Sequence, residues 1–270
     1  MPTGLQKLSH LVRLLPQHPV EFWDRVSTVV EVRREATSPA ALRRDTVCYE
    51  EAIRQLELAL ECRLDPFLHD SALEEIDQHV RCQSEALAPQ APFGMFHNGD
   101  SALARFCYVA CRALCARSVV ETGVAYGVTT SFVLQALAQQ QSGQLLSVDL
   151  PPLGSAADTF VGFLVPQQLR SRWQLYRGQS RRVLPVVLEK VRTLDLFIHD
   201  SLHTHRNMSW EFREAWSCLR PGGLLISDDV DQNSAFEDFA ESANPLFSAV
   251  VQELGKDAVF GVAMKRPDPA

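Results

Sequence analysis

The chain contains 270 residues with a formal net charge of −7, and 46% of its residues are hydrophobic and 22% charged. This composition is that of an ordinary globular protein, and the length accommodates one large domain or one domain with a smaller attachment. The negative charge provides no basic surface for nucleic acid or an anionic membrane, and no segment approaches the roughly 18 apolar residues of a transmembrane helix. We therefore expect neither a nucleic-acid nor a membrane partner. The N-terminus lacks a signal-peptide pattern and the seven cysteines are scattered, which favours a cytoplasmic location.

The first part of the chain predicts a series of helices. Leucines between Leu5 and Leu15 indicate one short helix, and a second is predicted over Val20–Val32. In the second helix, Phe22 and Trp23 are expected to be the residues that dock on the rest of the protein. A longer amphipathic helix is predicted over Arg43–Glu61, which alternates an apolar and a charged side.

A capping box marks the start of the next helix, with Ser71 as the N-cap and Glu74 reaching back to it. This helix is expected to run to about Leu87. The segment Ala88–Gly94 contains two prolines and a glycine, which is typical of a linker. We place a domain boundary here, which divides the chain into a helical N-terminal extension of residues 1–94 and a second domain of residues 95–270.

From Asp100 onward the hydrophobic pattern alternates between helix and strand. Repeated strand–helix units predict an α/β fold with a parallel sheet and helices on both faces. A pair of terminal strands follows, turned at Gly255–Asp257. The predicted strands are Ser118–Gly123, Gln144–Asp149, Trp173–Arg177, Leu194–His199, Leu224–Ser227, Phe247–Leu254 and Ala258–Lys265. Ligands of such folds bind at the carboxyl ends of the strands, so the residues that follow each strand are the candidates for a site.

A glycine turn follows the first of these strands. Glu121 lies near the end of the strand, and Gly123 and Gly127 come directly after it. Glycine lets the backbone approach a ligand closely and frees the N–H groups at the start of the next helix. A dinucleotide site would carry G-x-G-x-x-G, whereas Glu121 would repel a pyrophosphate and attract the cationic or amino-bearing end of S-adenosylmethionine. The alternative is that these glycines serve the strand–helix junction for steric reasons alone.

Acids end several of the other strands. Asp149 ends the second predicted strand, where a carboxylate can accept hydrogen bonds from both hydroxyls of an adenosine ribose; the alternative is an exposed acid in a loop. Asp200, Asp228 and Asp229 come from two further strand ends. Converging carboxylates suit Mg²⁺ or a similar hard cation, which lowers the pKa of a bound hydroxyl and aligns it for O-methylation. Alternatively, Asp228 and Asp229 only cap the next helix.

Histidines surround Asp200 in the stretch His199–His205. His203 lies three residues after Asp200, within reach of the same cavity, and is the candidate general base because imidazole titrates near neutral pH. A structural role for His203, bonded to a neighbouring loop, is the alternative. His199 precedes the turn on a buried strand and is expected to be a hydrogen-bonded histidine of the core.

From about His97 to Lys265 the chain resembles the class I S-adenosylmethionine-dependent methyltransferases. It is most similar to the metal-dependent small-molecule O-methyltransferases that include the macrolide-sugar enzymes of the mycinamicin and macrocin type. The matching segments are V-V-E-T-G-V-A-Y-G, L-S-V-D, the G-Q-S after Arg177, D-L-F-I-H-D-S-L-H-T-H, L-R-P-G-G-L-L-I-S-D-D-V and the closing strand pair. The resemblance implies a Rossmann-like, mostly parallel sheet of seven strands with an antiparallel last strand and helices on both faces.

The same resemblance implies the residues of a site. The candidate cofactor-binding residues, for S-adenosylmethionine, are Glu121, Thr122, Gly123, Gly127, Thr129, Asp149, Gly178 and Ser180. The candidate ligands of Mg²⁺ are Asp200, Asp228 and Asp229, and the candidate catalytic residues are Asp200 and His203. In related enzymes the helices before the core form a lid or a dimer contact. We therefore expect the N-terminal extension to choose the small-molecule hydroxyl acceptor or to join a homo-oligomer.

The leading hypothesis is an S-adenosylmethionine-dependent methyltransferase that moves a methyl group, with the help of Mg²⁺, to a hydroxyl of a sugar or other small natural product. One alternative is a non-haem iron oxygenase that takes its ligands from His199 or His203, Asp200 and another histidine. Another alternative is a non-catalytic subunit that binds S-adenosylmethionine.

Overall fold

The computed structural model describes residues 4–35, 45–95, 101–154, 157–252 and 259–267. The turn predicted at Gly255–Asp257 and the first residues of the helix predicted over Arg43–Glu61 lie outside the described residues. The described helices are α1 Gly4–Gln17, α2 Pro19–Glu35, α3 Tyr49–Leu60, α4 Asp65–Leu68, α5 Ser71–Leu87, α6 Ser101–Ala113, α7 Val128–Gln139, α8 Ala157–Phe160, α9 Ser180–Val191, α10 His205–Cys218 and α11 Ala235–Ala243. None of these helices is long and apolar enough to cross a membrane.

A single sheet of eight strands forms the centre of the protein. The strands are β1 Val47–Cys48, β2 Ser118–Thr122, β3 Gln144–Asp149, β4 Trp173–Arg177, β5 Leu194–His199, β6 Leu219–Ser227, β7 Phe247–Gln252 and β8 Val259–Met264. They lie in the order β1-β7-β8-β6-β5-β2-β3-β4. The five strands from β6 to β4 are mutually parallel, and β8 runs antiparallel between β6 and β7. The predicted Rossmann-like fold with an antiparallel last strand is therefore confirmed.

Two strands differ from the prediction. Val47 and Cys48 pair with β7 as a short eighth strand, so α3 begins only at Tyr49 and the helix predicted from Arg43 is too long. Strand β6 begins at Leu219, before the predicted start at Leu224, because Leu219 already pairs with Leu194 of β5. The backbone N–H of Gly222 donates to the carbonyl of Lys265 at 2.9 Å, which extends the pairing with the last strand.

The start of α5 also differs from the prediction. Asp70, rather than Ser71, is the N-cap, because its carboxylate accepts a hydrogen bond from the backbone N–H of Ala72 at 3.0 Å. A second oxygen of Asp70 accepts hydrogen bonds from Tyr108 (2.6 Å) and Arg112 (2.7 Å) of α6. The capping acid thus also joins two helices, and a serine at this position could not do both.

The hydrophobic core continues across the predicted domain boundary at Gly94. One cluster of buried residues includes Leu56 of α3, Leu73 of α5, Phe93 and Val119 of β2. Phe93 stacks on Tyr126 with ring centroids 3.9 Å apart. The hydroxyl of Tyr126 accepts from the backbone N–H of Phe93 (3.0 Å) and donates to its carbonyl (2.7 Å). Residues 49–95 therefore pack on the sheet as part of the same core.

Helix α2 docks with a charged face, and of its two aromatic residues Phe22 is half-buried and Trp23 is exposed. Trp23 is 62% exposed, so the expectation that it is a docking residue is wrong. The inward face carries Glu21, Asp24 and Glu31 instead, which pair with arginines of the sheet domain. These ion pairs place α2 at the carboxyl edge of β3 and β4, where the candidate site lies.

Candidate functional site

A cavity of about 260 Å³ opens at the carboxyl ends of β2, β3, β4 and β5. Four of the eight predicted cofactor-binding residues line it, namely Gly123, Asp149, Gly178 and Ser180. The candidate metal ligand Asp200 lines it as well, together with Ser201, Leu202 and Asn207 from the loop and helix after β5. The N-terminal part of the chain supplies Thr28 and Phe93 to the same wall.

Gly123 allows two strand ends to meet at the floor of the cavity. Its φ is +85°, and a Cβ atom on it would lie 1.7 Å from the carbonyl oxygen of Asp200. Because no side chain fits there, glycine is required by the close approach of the neighbouring strand, whether or not a ligand is bound. The close approach also leaves backbone, rather than a side chain, at this point of the wall.

Asp149 is the carboxylate of the wall with unused hydrogen-bonding capacity. Backbone N–H groups of Leu150 and Ala125 bond to it, but its Oδ2 atom is buried without a hydrogen-bond partner among the described residues. Burial raises the pKa of Asp149 to about 7. An unpaired buried carboxylate oxygen costs free energy. A ligand that brings hydroxyl donors to this oxygen would remove that cost.

The other four predicted cofactor-binding residues lie behind the wall. Glu121 is buried, and its Oε2 accepts hydrogen bonds from Thr130 (2.8 Å) and Ser147 (2.7 Å). Burial raises the pKa of Glu121 to about 7. Gly127, with φ of +91°, is the N-cap of α7 and packs against Gly162. The structure therefore does not bring these residues to the cavity surface, and the same holds for Thr122 and Thr129, which are buried.

The candidate metal ligands lie together at the ends of β5 and β6. Asp200 and Asp228 follow paired strand residues, and their carboxyl groups are within hydrogen-bond contact. Burial, followed by the charge of Asp228, raises the pKa of Asp200 well above its usual range. Burial also raises the pKa of Asp229. Among the described residues, no group of three or more His, Cys, Asp and Glu side chains is arranged to hold a metal ion.

His203 lies between these acids. Its Nδ1 is 3.2 Å from Asp229 Oδ2, and its Nε2 is 3.8 Å from Asp200 Oδ1. Burial, with a smaller effect of His199, lowers the pKa of His203 to about 3, so the imidazole is neutral at neutral pH. The iron-oxygenase alternative requires a triad of metal ligands, and the described part of the chain contains no such group.

Glu211 on α10 is a site residue that sequence analysis missed. Its side chain is fully buried, and its Oε2 lies 2.7 Å from Nδ1 of His199. Burial alone would raise the pKa of Glu211, but the charge and the hydrogen bond of His199, with a hydrogen bond from Thr122, outweigh it and hold the pKa at about 2. His199 is thus a hydrogen-bonded core histidine, as expected. The available signal was a glutamate on the apolar side of an amphipathic helix directly after a predicted site loop.

Helix α2 covers one side of the cavity and is held there by charge. Glu21 binds Arg177 at 2.6 Å and Asp24 binds Arg182 at 2.9 Å. Thr28, which lines the cavity, lies 3.2 Å from the side-chain nitrogen of Gln179. Further contacts join Glu31 to Thr204 and Arg181, Arg25 to the carbonyl of Pro151, and Glu35 to the backbone N–H of His205.

Comparisons with known proteins agree with this arrangement. Residues 120–230, which hold β2 to β6 and the acids at their ends, match the family model of a methyltransferase domain. This segment of the chain is therefore similar to methyltransferase domains. No curated protein matches the sequence.

Solved structures show where the fold recurs. An O-methyltransferase from Bacillus cereus in complex with SAH is 18% identical over 80% of this chain and 97% of that one, with a TM-score of 0.53. A cofactor-bound protein from MTB is 18% identical over 70% of this chain and 90% of that one, with a TM-score of 0.56. The O-methyltransferase TomG from Streptomyces achromogenes, involved in tomaymycin synthesis and in complex with SAM, is 16% identical over 73% and 91%, with a TM-score of 0.51. At these identities the similarity is one of fold.

Proposed function

We propose that the protein is an S-adenosylmethionine-dependent O-methyltransferase that acts on a small molecule. The observation that carries this proposal is the buried Oδ2 of Asp149, which lacks a hydrogen-bond partner among the described residues and lies in the wall of the cavity. A ribose offers two adjacent hydroxyl donors, which match a carboxylate at the end of the second strand of such a sheet. The methyltransferase match over residues 120–230 supports the same assignment.

The rest of the cavity fits the remaining parts of the cofactor. With the ribose at Asp149, the adenine would lie toward Gln179 and the amino-acid part toward Ser201 and Asn207, because β4 and β5 lie on opposite sides of β3 in the strand order. When bound, S-adenosylmethionine supplies an electrophilic methyl group on a sulfonium. The protein holds this cofactor in a fixed orientation relative to the acceptor, which is the main contribution such a site makes.

The acids beside the cavity support a metal-assisted transfer to a hydroxyl. Two carboxyl groups in hydrogen-bond contact, such as Asp200 and Asp228, must share a proton unless a cation replaces it. Mg²⁺ commonly binds through one or two carboxylates and keeps several waters, so this pair fits such an ion, with Asp229 nearby. A bound Mg²⁺ would lower the pKa of an acceptor hydroxyl. The proposed acceptor of the proton of that hydroxyl is His203, which lies 3.2 Å from Asp229 and 3.8 Å from Asp200.

The contacts of helix α2 support a role of the N-terminal extension, residues 1–94, as a lid over the cavity. Helix α2 supplies Thr28 to the cavity wall and is held by ion pairs, so it can cover bound cofactor without a large apolar interface. The outer face of α1 and α2 carries several exposed apolar side chains, including Leu15, Val20 and Trp23. This face supports homo-oligomer formation through the N-terminal helices. The acceptor, for which we propose a sugar or another small natural product, would enter next to this lid.

The test is isothermal titration calorimetry, in which the purified protein is titrated with S-adenosylhomocysteine with and without Mg²⁺. Binding is expected, and Mg²⁺ is expected to alter it; absence of binding would contradict the proposed function. Transfer of a labelled methyl group to a panel of hydroxylated sugars and small natural products then separates an enzyme from a non-catalytic subunit. Binding without transfer to any of them would favour the non-catalytic alternative.

A further inference from the structure

Glu211 is a buried carboxylate that lies directly behind the cavity wall. Its two oxygens accept four hydrogen bonds, at distances of 2.5 to 2.9 Å, from side chains of β2, β5, α10 and the loop after β5. Oε2 is bonded to His199 Nδ1 and Thr122 Oγ1, and Oε1 is bonded to Ser201 Oγ and Asn207 Nδ2. Burial of a carboxylate is costly unless its oxygens are hydrogen-bonded, and here each oxygen has two donors.

These hydrogen bonds determine which atoms of the wall face the cavity. Ser201 and Asn207 both line the cavity. A carboxylate can only accept hydrogen bonds, so Ser201 must turn its hydroxyl hydrogen, and Asn207 its amide nitrogen, toward Glu211. The same nitrogen of Asn207 donates to the carbonyl of Leu202 at 3.1 Å. The amide oxygen of Asn207 is therefore directed the other way, where it accepts a hydrogen bond from the hydroxyl of Ser180 at 3.5 Å and keeps a second lone pair.

The oriented residues lie at one end of the cavity. Strand β5 precedes β2 in the sheet order and β3 follows it, so Ser201 and Asn207 lie on one side of Gly123 and Asp149 on the other. A ribose held by Asp149 leaves the amino-acid part of the cofactor on the β5 side. This part carries an ammonium group, which donates hydrogen bonds and needs acceptor oxygens around it.

We propose that Glu211 is a positioning residue that turns the oxygens of Ser201 and Asn207 toward the amino-acid part of S-adenosylmethionine. The inference rests on the proposed function and deepens it. Glu211 touches no atom of the ligand itself. Its carboxylate binds the donor groups of Ser201 and Asn207. The oxygens of these two side chains are then the groups that this end of the cavity offers to the ammonium group.

The test compares two ligands with two variants of the full-length protein. S-Adenosylhomocysteine contains the amino-acid part, and 5′-methylthioadenosine contains the adenosine without it. Glu211→Gln keeps the size of the side chain but replaces one acceptor oxygen with a donor, so Ser201 and Asn207 cannot both keep their orientation. The control is Glu214→Gln, the same change three residues further along α10 at a half-exposed position.

Glu211→Gln is expected to weaken binding of S-adenosylhomocysteine by about tenfold, the size of one lost charge-assisted hydrogen bond, and to leave binding of methylthioadenosine unchanged. The Glu214→Gln variant is expected to bind both ligands as the unchanged protein does. Equal loss for the two ligands would mean that Glu211 only supports the fold, and no loss for either would also overturn the inference; in both cases the proposed function would stand. If the unchanged protein binds neither ligand, the proposed function and this inference both fail.

A second variant keeps the inference testable if circular dichroism shows that Glu211→Gln is unfolded. Ser201→Ala removes one of the two donors to Oε1 at a half-buried position and leaves the carboxylate in place. It is expected to weaken binding of S-adenosylhomocysteine by about threefold, because one neutral oxygen of the wall is lost, and to leave binding of methylthioadenosine unchanged. Unchanged binding of both ligands to this variant would overturn the inference.

Discussion

Replacement of Asp149 by asparagine tests the assignment of the cavity most directly. The change keeps the shape of the side chain, but it removes the charge and one of the two acceptor oxygens. A hydrogen bond to a charged group contributes roughly 1.5–3 kcal/mol, and a ribose would make two of them to the ionised carboxylate. Asp149→Asn is therefore expected to lose about 3 kcal/mol of binding free energy, which weakens binding of S-adenosylhomocysteine roughly a hundredfold.

The pH dependence of binding follows from the same carboxyl group. Burial raises the pKa of Asp149 to about 7 in the free protein, whereas hydroxyl donors of a ribose require the ionised form. Binding below this pH must therefore release a proton, and affinity should rise with pH and become constant above the pKa. For a pKa of about 7, the ionised fraction grows about tenfold between about pH 6 and about pH 8, and the dissociation constant should fall by the same factor.

The stability of the free protein changes in the opposite direction. Because the folded state raises the pKa of Asp149, it favours the protonated form more than the unfolded chain does. The contribution of this group to stability is therefore full below the ordinary carboxyl pKa of 3.8, and it is lost as the pH rises toward about 7.

Titration calorimetry at several pH values, in two buffers with different ionisation enthalpies, measures both the affinity and the released proton. Glu121→Gln is the matched control, because burial also raises the pKa of Glu121 to about 7 but its side chain lies behind the wall. We expect the pH dependence to disappear in Asp149→Asn and to persist in Glu121→Gln. The reasoning would be refuted by a tight, pH-dependent Asp149→Asn variant, or by a Glu121→Gln variant in which the pH dependence is lost.

Three further predictions concern the metal, the lid and the core. Mg²⁺ should raise the melting temperature of the unchanged protein more than that of Asp228→Asn, and equal shifts in scanning calorimetry would contradict an ion at the acid pair. Glu21→Gln, which removes the charge facing Arg177, should speed dissociation of S-adenosylhomocysteine about fivefold in stopped-flow experiments and reduce its dependence on salt; an unchanged rate would mean that α2 does not cover the ligand. Tyr126→Phe should lower the free energy of unfolding, measured in urea, by about 2 kcal/mol, because it removes both hydrogen bonds to the backbone of Phe93. A loss below a few tenths of a kcal/mol would contradict a stabilising role of these two hydrogen bonds.

The edge of the sheet could be predicted from the sequence because it follows from local rules. Each parallel strand has a hydrophobic run that ends in a polar residue, and the carboxyl ends of parallel strands meet at one edge. This is sufficient to bring Asp149, Asp200 and Asp228 to one side of the protein without knowledge of the strand order. The glycine turn is also a local feature, because few residues other than glycine adopt the φ of +85° that the backbone has at Gly123.

The depth of each side chain behind that edge could not be predicted. A strand buried on both faces has no alternation, so the pattern around Glu121 does not tell whether the carboxylate faces the cavity or helix α7. The docking of α2 depends on Arg177 and Arg182, which are more than 150 residues away in the chain. A hydrophobic pattern selects Trp23 as a docking residue because the side chain is large and apolar. The pattern contains no information about the distant ion pairs that orient the helix.

Hydrogen-bonding capacity separates the buried acids of this edge into two groups. Glu211 accepts four hydrogen bonds and Glu121 accepts two at a single oxygen, all from side chains of the protein. Asp149 keeps an oxygen without a partner among the described residues, and Asp200 has another carboxyl group as its neighbour. Hydrogen bonds from side chains offset the cost of burying an acid, whereas an acid with unmet capacity raises the free energy until a ligand or a cation binds. Asp149 and Asp200 are therefore the positions at which ligand binding should stabilise this protein most, and Glu121 and Glu211 act by keeping the surrounding wall in place.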